Sequence, residues 1–413
     1  MLIALIIFKI ILDAAYILFM PEIYAYEGFV VDFRLDNYML SWSIYILVSF
    51  LTPHKFSKPN DYFIILATTA VIAPLASLIG IGGYTIFPLA VTVSSLLLII
   101  VVTKLFEVLQ PSLPFVKQGQ SLAVISSALL VALIILWFFV TGSAFNLNFD
   151  LTQVYEYRSK NSELSSFGIF AYLNNWVYQI INVFLISYCL LKRRWVLFTL
   201  FCCIQVFFFA VSAHKSVLFY PLLIISIWYY FEKTRNMIFV PILFSGVIIV
   251  SLMFYLFLED IIIPSMFIRR VFFIPAMLTL EYFEFFSQNA NIYWSNSVLS
   301  SFIDYPYSER MTILIGQYRG TEASANNGYV SSGYAHAGIL GVVIYSVILG
   351  FILSILNSMS RNSNYLWFHL ALVIVPLRAV LISSDLFTSL LTHGLLISIL
   401  LIFLVRERNW YKA

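Results

Sequence analysis

Long apolar runs dominate this chain and restrict what it can fold into. A bilayer span needs roughly 20 mostly apolar residues, and its backbone must close its hydrogen bonds internally. Hydrophobic residues make up 62% of the 413 residues and charged residues only 10%, which is too apolar for a soluble core. The sequence therefore predicts an all-α polytopic membrane protein of about twelve transmembrane helices. The predicted spans are 2–20, 38–53, 61–79, 84–104, 120–141, 168–191, 195–212, 216–231, 238–258, 335–356, 365–383 and 386–405.

The distribution of Lys and Arg between the predicted loops indicates the orientation, because cytoplasmic loops carry an excess of both. The loops of one side contain Lys55, Lys58, Lys104, Lys117, Lys192, Arg193, Arg194, Lys233, Arg235, Arg361, Arg406, Arg408 and Lys412. The acids of that side are far fewer. We therefore expect a multi-pass membrane protein with both termini in the cytoplasm; in the inner (cytoplasmic) membrane of a bacterium, the opposite loops would face the periplasm.

Three regions follow from these spans. Residues 1–258 form transmembrane helices 1–9 with short loops, 259–334 form a large periplasmic loop between helices 9 and 10, and 335–413 form helices 10–12 and a cytoplasmic tail. Within the large loop, Pro275 is suited to the first turn of a helix. Met277, Glu281, Glu284 and Gln288 then recur on one face, which is typical of an amphipathic helix in the membrane interface.

Basic residues on the periplasmic side run against the general trend and need a reason. They are Lys215, Arg269, Arg270, Arg310, Arg319 and Arg378. Arg binds phosphate oxygens through a planar fork and Lys binds them as a point charge, so this set suits a lipid-linked diphosphate. The alternatives are that these side chains reach for phospholipid headgroups, or that Arg378 pairs with Asp385.

An attacking hydroxyl would need a proton acceptor, and the sequence offers several. His336 stands first because its unperturbed pKa suits neutral pH; Glu281, Glu284, Asp304 and Glu309 are the other candidates. An interfacial His with one ordinary hydrogen bond is the competing interpretation. His393 and the Lys9/Asp13 pair are better read as structural. We find no metal-binding, nucleophile-elbow or phosphate-loop motif, and we expect no cofactor or metal.

Aromatic and amide residues are concentrated in the large loop and its edges. The aromatic residues are Tyr282, Tyr293, Trp294, Tyr305, Tyr307, Tyr318, Tyr329 and Tyr334. Their rings offer apolar faces to sugars, while the aromatic belt of a membrane interface is the competing explanation.

Three stretches of the C-terminal half resemble the O-antigen (oligosaccharide repeat-unit) polymerases. The first runs from Arg269 through Pro275 and Glu281 to Trp294; the second joins Asn326-Asn327-Gly328-Tyr329 to Gly333-Tyr334-Ala335-His336-Ala337-Gly338; the third is Arg378 with Ser384-Asp385-Leu386-Phe387 and Leu391-Thr392-His393-Gly394. The turn Ala213-His214-Lys215-Ser216 is similar as well. The likeness covers roughly 205–395.

The resemblance implies a GT-C-like, metal-independent, inverting glycosyltransferase that acts on the periplasmic face. Undecaprenyl-diphosphate-linked glycans would be its donor and acceptor, membrane lipids and a chain-length regulator its other partners, and nucleic acid no partner. The diphosphate would bind to Lys215, Arg269, Arg270 and Arg378. Catalysis would involve His336, Glu281 and Arg270. The sugars would contact Tyr282, Arg310, Arg319, Asn326, Asn327 and Tyr334.

Two other functions stay open at this stage. The O-antigen ligases are similar in layout, although the segment after His336 lacks their usual aromatic-rich run. A flippase or transporter for lipid-linked oligosaccharide also suits twelve spans, although such proteins usually have related halves and this chain has none.

Overall fold

The computed structural model describes residues 1–109, 114–149, 167–361, 363 and 365–406, and every regular element among them is helical. The predicted cytoplasmic tail, with Glu407, Arg408 and Lys412, lies outside the described residues. The helices are α1 (Leu2–Tyr24), α2 (Leu35–Leu51), α3 (Pro59–Gly82), α4 (Phe87–Val108), α5 (Gly119–Val140), α6 (170–191), α7 (Trp195–Ser212), α8 (Lys215–Lys233), α9 (Phe239–Leu258), α10 (Ile262–Gln288), α11 (Met311–Tyr318), α12 (Tyr329–Ser360), α13 (Leu366–Ile382), α14 (Leu386–Leu391) and α15 (Leu395–Val405).

The prediction of a helical multi-pass membrane protein is confirmed. Among the described residues, nine helical segments are long and apolar enough to cross a membrane. Eight coincide with predicted spans, and the ninth is α10, which lies in the predicted large loop. Every other predicted span is also helical, but α2 and α13, at 17 residues each, are short for a span. The count of twelve spans stays a prediction.

Helix α10 begins at Ile262, well before Pro275, where we had expected an interfacial helix to start. It starts with the short α-helical stretch Ile262–Pro264, and the segment Ser265–Phe273 that follows is π-helical. A proline can follow because the preceding turn does not use the i→i−4 hydrogen bonds that proline interrupts. Met277 and Phe283 are buried, whereas Glu284 and Gln288 are exposed. The helix therefore packs into the bundle along one side and keeps a polar face.

Helix α12 is a hairpin of two helices rather than one straight rod. Its backbone leaves the helical conformation at Ala337 and Gly338, and the halves 329–336 and 339–360 fold back on each other. Tyr329 and Ser346 both hydrogen-bond to Ser95, at 2.6 and 2.9 Å. These two residues would be about 25 Å apart along a continuous helix. The segment before Tyr329 therefore enters the bundle instead of lying in an exterior loop.

The hairpin rests on the end of α13. A β-carbon on Gly328 would lie 2.0 Å from the carbonyl oxygen of Leu381, so only glycine permits this approach. After α13 the chain turns at 383–385, and the Asp385 side chain caps α14 by accepting hydrogen bonds from the backbone N–H groups of Phe387 and Thr388. Two breaks in helical structure are thus brought together at the hairpin.

A buried ion pair ties α1 to its neighbours. Lys9 is fully buried and pairs with Asp13, one turn later. Ser77 of α3 contacts both charged groups, and Trp42 of α2 donates to Asp13 at 3.0 Å. Burying a charge is costly unless it is paired and hydrogen-bonded, and the charges of Lys9 and Asp13 meet both conditions. The geometry favours the structural interpretation of this pair.

Candidate functional site

Two arginines of the predicted diphosphate and sugar sites are held by an acid from the opposite end of the chain. Glu27, in the turn after α1, accepts hydrogen bonds from both Nε (3.0 Å) and Nη2 of Arg269. Its Oε2 also accepts from Nη2 of Arg319 at 2.8 Å. Arg319 Nε lies 3.6 Å from Glu281, and Arg269 stacks over the Tyr24 ring at 4.4 Å. All four charged side chains are mostly buried.

This cluster neutralises itself, because two guanidinium groups face two carboxylates. Arg269 and Arg319 were predicted to bind ligand, but their forks are already occupied. The geometry gives them a structural role, joining the end of α1, helix α10 and the residue after α11. Sequence inspection missed Glu27 because no local pattern connects it with Arg269, 242 residues away.

The other predicted cations have no such partner. Within the described part of the chain, Lys215, Arg270, Arg310 and Arg378 are exposed and form no ion pair or hydrogen bond through their side chains. Arg378 is the most unusual, because it lies inside α13 between the buried residues Leu377 and Ala379. An exposed charge inside an apolar helix indicates a recess in the bundle.

The surroundings of Arg378 come from several helices. Tyr62 of α3, Tyr220 of α8 and His393 after α14 lie within electrostatic range of its guanidinium group. The suggested pairing with Asp385 is wrong, because that carboxylate contacts His336 and Tyr345 instead. Arg378 therefore keeps its charge available for a ligand.

Helices α10 and α13 both contribute residues to the lining of one small cavity. The cavity is lined by Val71, Pro275, Ala276, Thr279, Asn327, Gly328, Val330, Ser331, Leu381 and Ile382. Along the chain, Arg270 lies five residues before Pro275 and Arg378 lies three residues before Leu381, so each is roughly one helical turn from the lining. We call this cavity and its surroundings the junction of α10 and α13; each of its two helices carries one uncompensated arginine.

Two π-helical segments adjoin this cavity, and a third lies against the turn that contains His393. Ser265–Phe273 carries Arg270, Ala67–Ile72 contributes Val71 to the cavity lining, and Val177–Ile181 lies against the turn after α14. In that turn, His393 Nδ1 lies 3.3 Å from Gln179 Oε1. π-Helical turns are rare and frequently occur at functional sites. Their convergence here supports a functional interpretation of the junction.

His336, the first candidate for a general base, is buried at the tip of the α12 hairpin. Its Nδ1 accepts a hydrogen bond from the backbone N–H of Trp294 at 3.2 Å, so the ring proton belongs on Nε2. Nε2 lies 3.4 Å from Asp385 Oδ2. Both nitrogens are therefore engaged, and this arrangement offers no lone pair to a substrate hydroxyl. His336 instead connects the hairpin tip to the turn before α14.

Asp385 is the centre of this second cluster. It accepts from Tyr345 at 2.7 Å, and Tyr345 accepts from the Trp294 indole at 2.9 Å. Burial disfavours the charged carboxylate, but hydrogen bonds from His336, Tyr345 and the Phe387 N–H outweigh it, so the pKa of Asp385 lies below its usual value. Asp385 is thus a charged anchor at neutral pH.

Three of the predicted sugar-binding residues are packed inside the protein. Asn327 is buried, and its amide donates to Pro275 O, Thr279 and Ser331. Tyr282 donates to Ala325 O, and Tyr334 stacks on Phe283 with 3.9 Å between ring centroids. These residues hold the entering segment before the hairpin. Asn326, by contrast, is exposed and makes no side-chain hydrogen bond to any described residue.

The loop carboxylates differ in environment. Glu281 Oε1 faces Arg319, while its buried Oε2 has no hydrogen-bond partner among the described residues. Glu284, Asp304 and Glu309 are exposed. Of the acids proposed as proton acceptors, Glu281 is therefore the one held in a defined place with a carboxylate oxygen unused.

No family model, no curated protein and no solved structure matches the chain.

Proposed function

We propose that this protein is a glycosyltransferase that polymerises undecaprenyl-diphosphate-linked oligosaccharide repeat units into O-antigen or a related surface polysaccharide. In this proposal it lies in the bacterial inner membrane with both termini in the cytoplasm. The junction between α10 and α13 then opens towards the periplasm, where the lipid-linked units meet. Its partners are the donor and acceptor glycans, membrane lipids and a chain-length regulator.

The observation that carries the proposal is the division among the cations predicted on the periplasmic side. Arg269 and Arg319 are neutralised by Glu27 and Glu281, whereas Arg270, Arg378 and Lys215 have no acidic partner among the described residues. A protein retains uncompensated arginines beside an apolar bundle at a cost. A diphosphate supplies the anionic oxygens that such forks bind.

Bond making and breaking follow from this placement. The acceptor hydroxyl oxygen forms a bond to the anomeric carbon of the donor while the bond to the diphosphate oxygen breaks. Arg270, Arg378 and Lys215 stabilise the charge that grows on the departing diphosphate. The hydroxyl proton passes to a carboxylate, and Glu281 is the proposed acceptor because His336 has both nitrogens engaged.

Sugar binding is assigned to exposed residues of the segment 293–326, which connects α10 to α12. Asn326 and Arg310 are accessible, and Tyr293 and Tyr318 expose about half of their surface, at 50% and 47%. Amide, guanidinium and phenol groups can hydrogen-bond to sugar hydroxyls, and the rings cover apolar sugar faces. Three buried residues act indirectly, because they hold in place the segment that enters the bundle before the α12 hairpin: Asn327, Tyr282 and Tyr334.

Purified protein mixed with one lipid-linked repeat unit tests the proposal. Wild-type protein is expected to produce a ladder of longer glycans and free lipid diphosphate. Arg378→Ala should slow the reaction by about 100-fold or more, the effect of removing one charge-stabilising donor. Arg235→Ala is the matched control, because Arg235 is also exposed and without a described side-chain partner but follows the other end of α8. Equal rates for the Arg378 variant and wild type would contradict the assignment.

One observation favours a second candidate, a transporter for the same lipid-linked glycan. Broken helices like α12 are common in transporters, where half-helices enclose the substrate. In proteoliposomes, transbilayer movement of the lipid-linked unit without new glycosidic bonds would identify transport. Transfer to a lipid A–core acceptor without a ladder would identify a ligase.

A further inference from the structure

Glu27 occupies a position that no ligand-binding role explains. It lies in the short 3₁₀ turn Ala25–Glu27 that follows α1, and both of its carboxylate oxygens are used. Arg269 has no other acidic partner among the described residues, whereas Arg319 also faces Glu281. Glu27 is therefore the sole compensation for Arg269 in the described structure.

The neighbour of Arg269 is the exposed Arg270. Both lie in the π-helical part of α10, so successive side chains point in different directions. The Glu27 carboxylate and the Tyr24 ring hold Arg269 against the end of α1, and this leaves Arg270 on the exposed side. Glu27 thus occupies one of two adjacent guanidinium groups, while the other stays exposed.

We propose that Glu27 is a positioning residue that withholds Arg269, and with it Arg319, from the anionic ligand of Arg270. Without it, up to three guanidinium groups would compete for one diphosphate and draw it towards α1, away from Arg378. The inference rests on the proposed function in taking a lipid-linked diphosphate as that ligand. Its binding consequences hold for any diphosphate.

Pyrophosphate binding to the purified protein, measured by calorimetry, tests the inference. Glu27→Gln is expected to bind pyrophosphate about tenfold more tightly than wild type, since one added charge-assisted contact has about that effect. In the polymerisation assay the same variant should show a lower KM and a lower kcat, because the diphosphate is held firmly in the wrong place. Unchanged affinity in a folded Glu27→Gln protein would overturn the proposal.

A second pair of variants covers the case in which Glu27→Gln does not fold. Arg269→Gln leaves Glu27 with surplus negative charge and should weaken pyrophosphate binding several-fold. Glu27→Gln/Arg269→Gln removes both charges together and should return the affinity to that of wild type, because Arg319 still faces Glu281. If the double variant binds as weakly as Arg269→Gln, Arg269 touches the ligand directly and the proposal is wrong.

The two proposals fail in different ways. If wild-type protein makes no glycan ladder but the variants keep the expected order of pyrophosphate affinities, the proposed function fails and the role of Glu27 stands. If the ladder forms but that order is absent, the role of Glu27 fails alone.

Discussion

Gly341 and Gly333 lie in backbone contact across the turn of the α12 hairpin: a β-carbon on Gly341 would be 2.0 Å from the carbonyl oxygen of Gly333. Real β-carbons do not approach so closely, so the two halves of α12 can pack in this way only where position 341 lacks a side chain. This contact fixes how far Tyr329 and the preceding Asn326–Asn327 segment reach into the bundle.

Gly341→Ala is therefore expected to destabilise the protein by about 1–3 kcal/mol, the usual cost of overpacking. Thermal unfolding of the purified protein in detergent measures it. Gly246→Ala in α9 is the control, because a β-carbon there meets no atom within 4 Å and alanine favours helix. Equal melting temperatures for Gly341→Ala and wild type would argue against the hairpin.

Arg269→Ala and Arg270→Ala should have opposite effects on stability and on glycan transfer. Arg269→Ala leaves the mostly buried Glu27 with Arg319 as its remaining cation and should cost about 1–2 kcal/mol of stability, a value reduced for its partial exposure. Arg270→Ala should change stability by less than about 0.5 kcal/mol but abolish most glycan transfer. Melting temperature and ladder formation, measured on both variants, separate the two roles. A large stability loss for Arg270→Ala would contradict the assignment.

Asp385→Ala should destabilise the protein by about 1–3 kcal/mol, because it removes the cap of α14 and leaves Tyr345 and His336 without their acceptor. Asp385→Asn should cost less, since an amide oxygen can still cap the helix. Unfolding measurements on both variants and wild type at neutral pH provide the comparison.

The pH dependence of that difference has a definite sign. The pKa of Asp385 lies below its usual value of 3.8, so the stability it contributes is complete above about pH 4 and is lost as the pH falls through the lower folded-state pKa. The gap between wild type and Asp385→Asn should therefore narrow only in acid. If the difference in stability between wild type and Asp385→Asn became smaller between pH 8 and pH 6, this explanation would be excluded.

Substitutions of Asn327 and Asn326 should likewise distinguish a structural role from a functional one. Asn327→Ala removes a buried amide with several partners and should cost about 1–3 kcal/mol. Asn326→Ala should leave the melting temperature unchanged and reduce glycan transfer. If Asn326→Ala polymerises as well as wild type, this residue does not contact the sugars.

The buried pair in α1 offers a test of its structural role. Lys9→Met leaves Asp13 without its cation and should cost about 3 kcal/mol, whereas Lys9→Met/Asp13→Leu should recover most of the loss. Unfolding measures both. Stable variants that no longer transfer glycan would show that the pair takes part in function.

The sequence by itself determined the class of protein, the positions of most helices and the set of unusual cations. Apolar runs of bilayer length permit few alternatives, and charges among them are conspicuous. The sequence did not reveal that α10 begins at Ile262. Arg269 and Arg270, which lie in its π-helical stretch, interrupt the apolar pattern by which spans are recognised.

Only the tertiary structure decided which cations are compensated and which are exposed. Arg269 and Arg270 are neighbours with the same chemistry, and their difference comes from Glu27, which folding brings from 242 residues away. In the same way, His336 is a plausible base by residue type, but Trp294 and Asp385 occupy both of its nitrogens. Partners so distant along the chain leave no local pattern, because long-range packing alone brings them together.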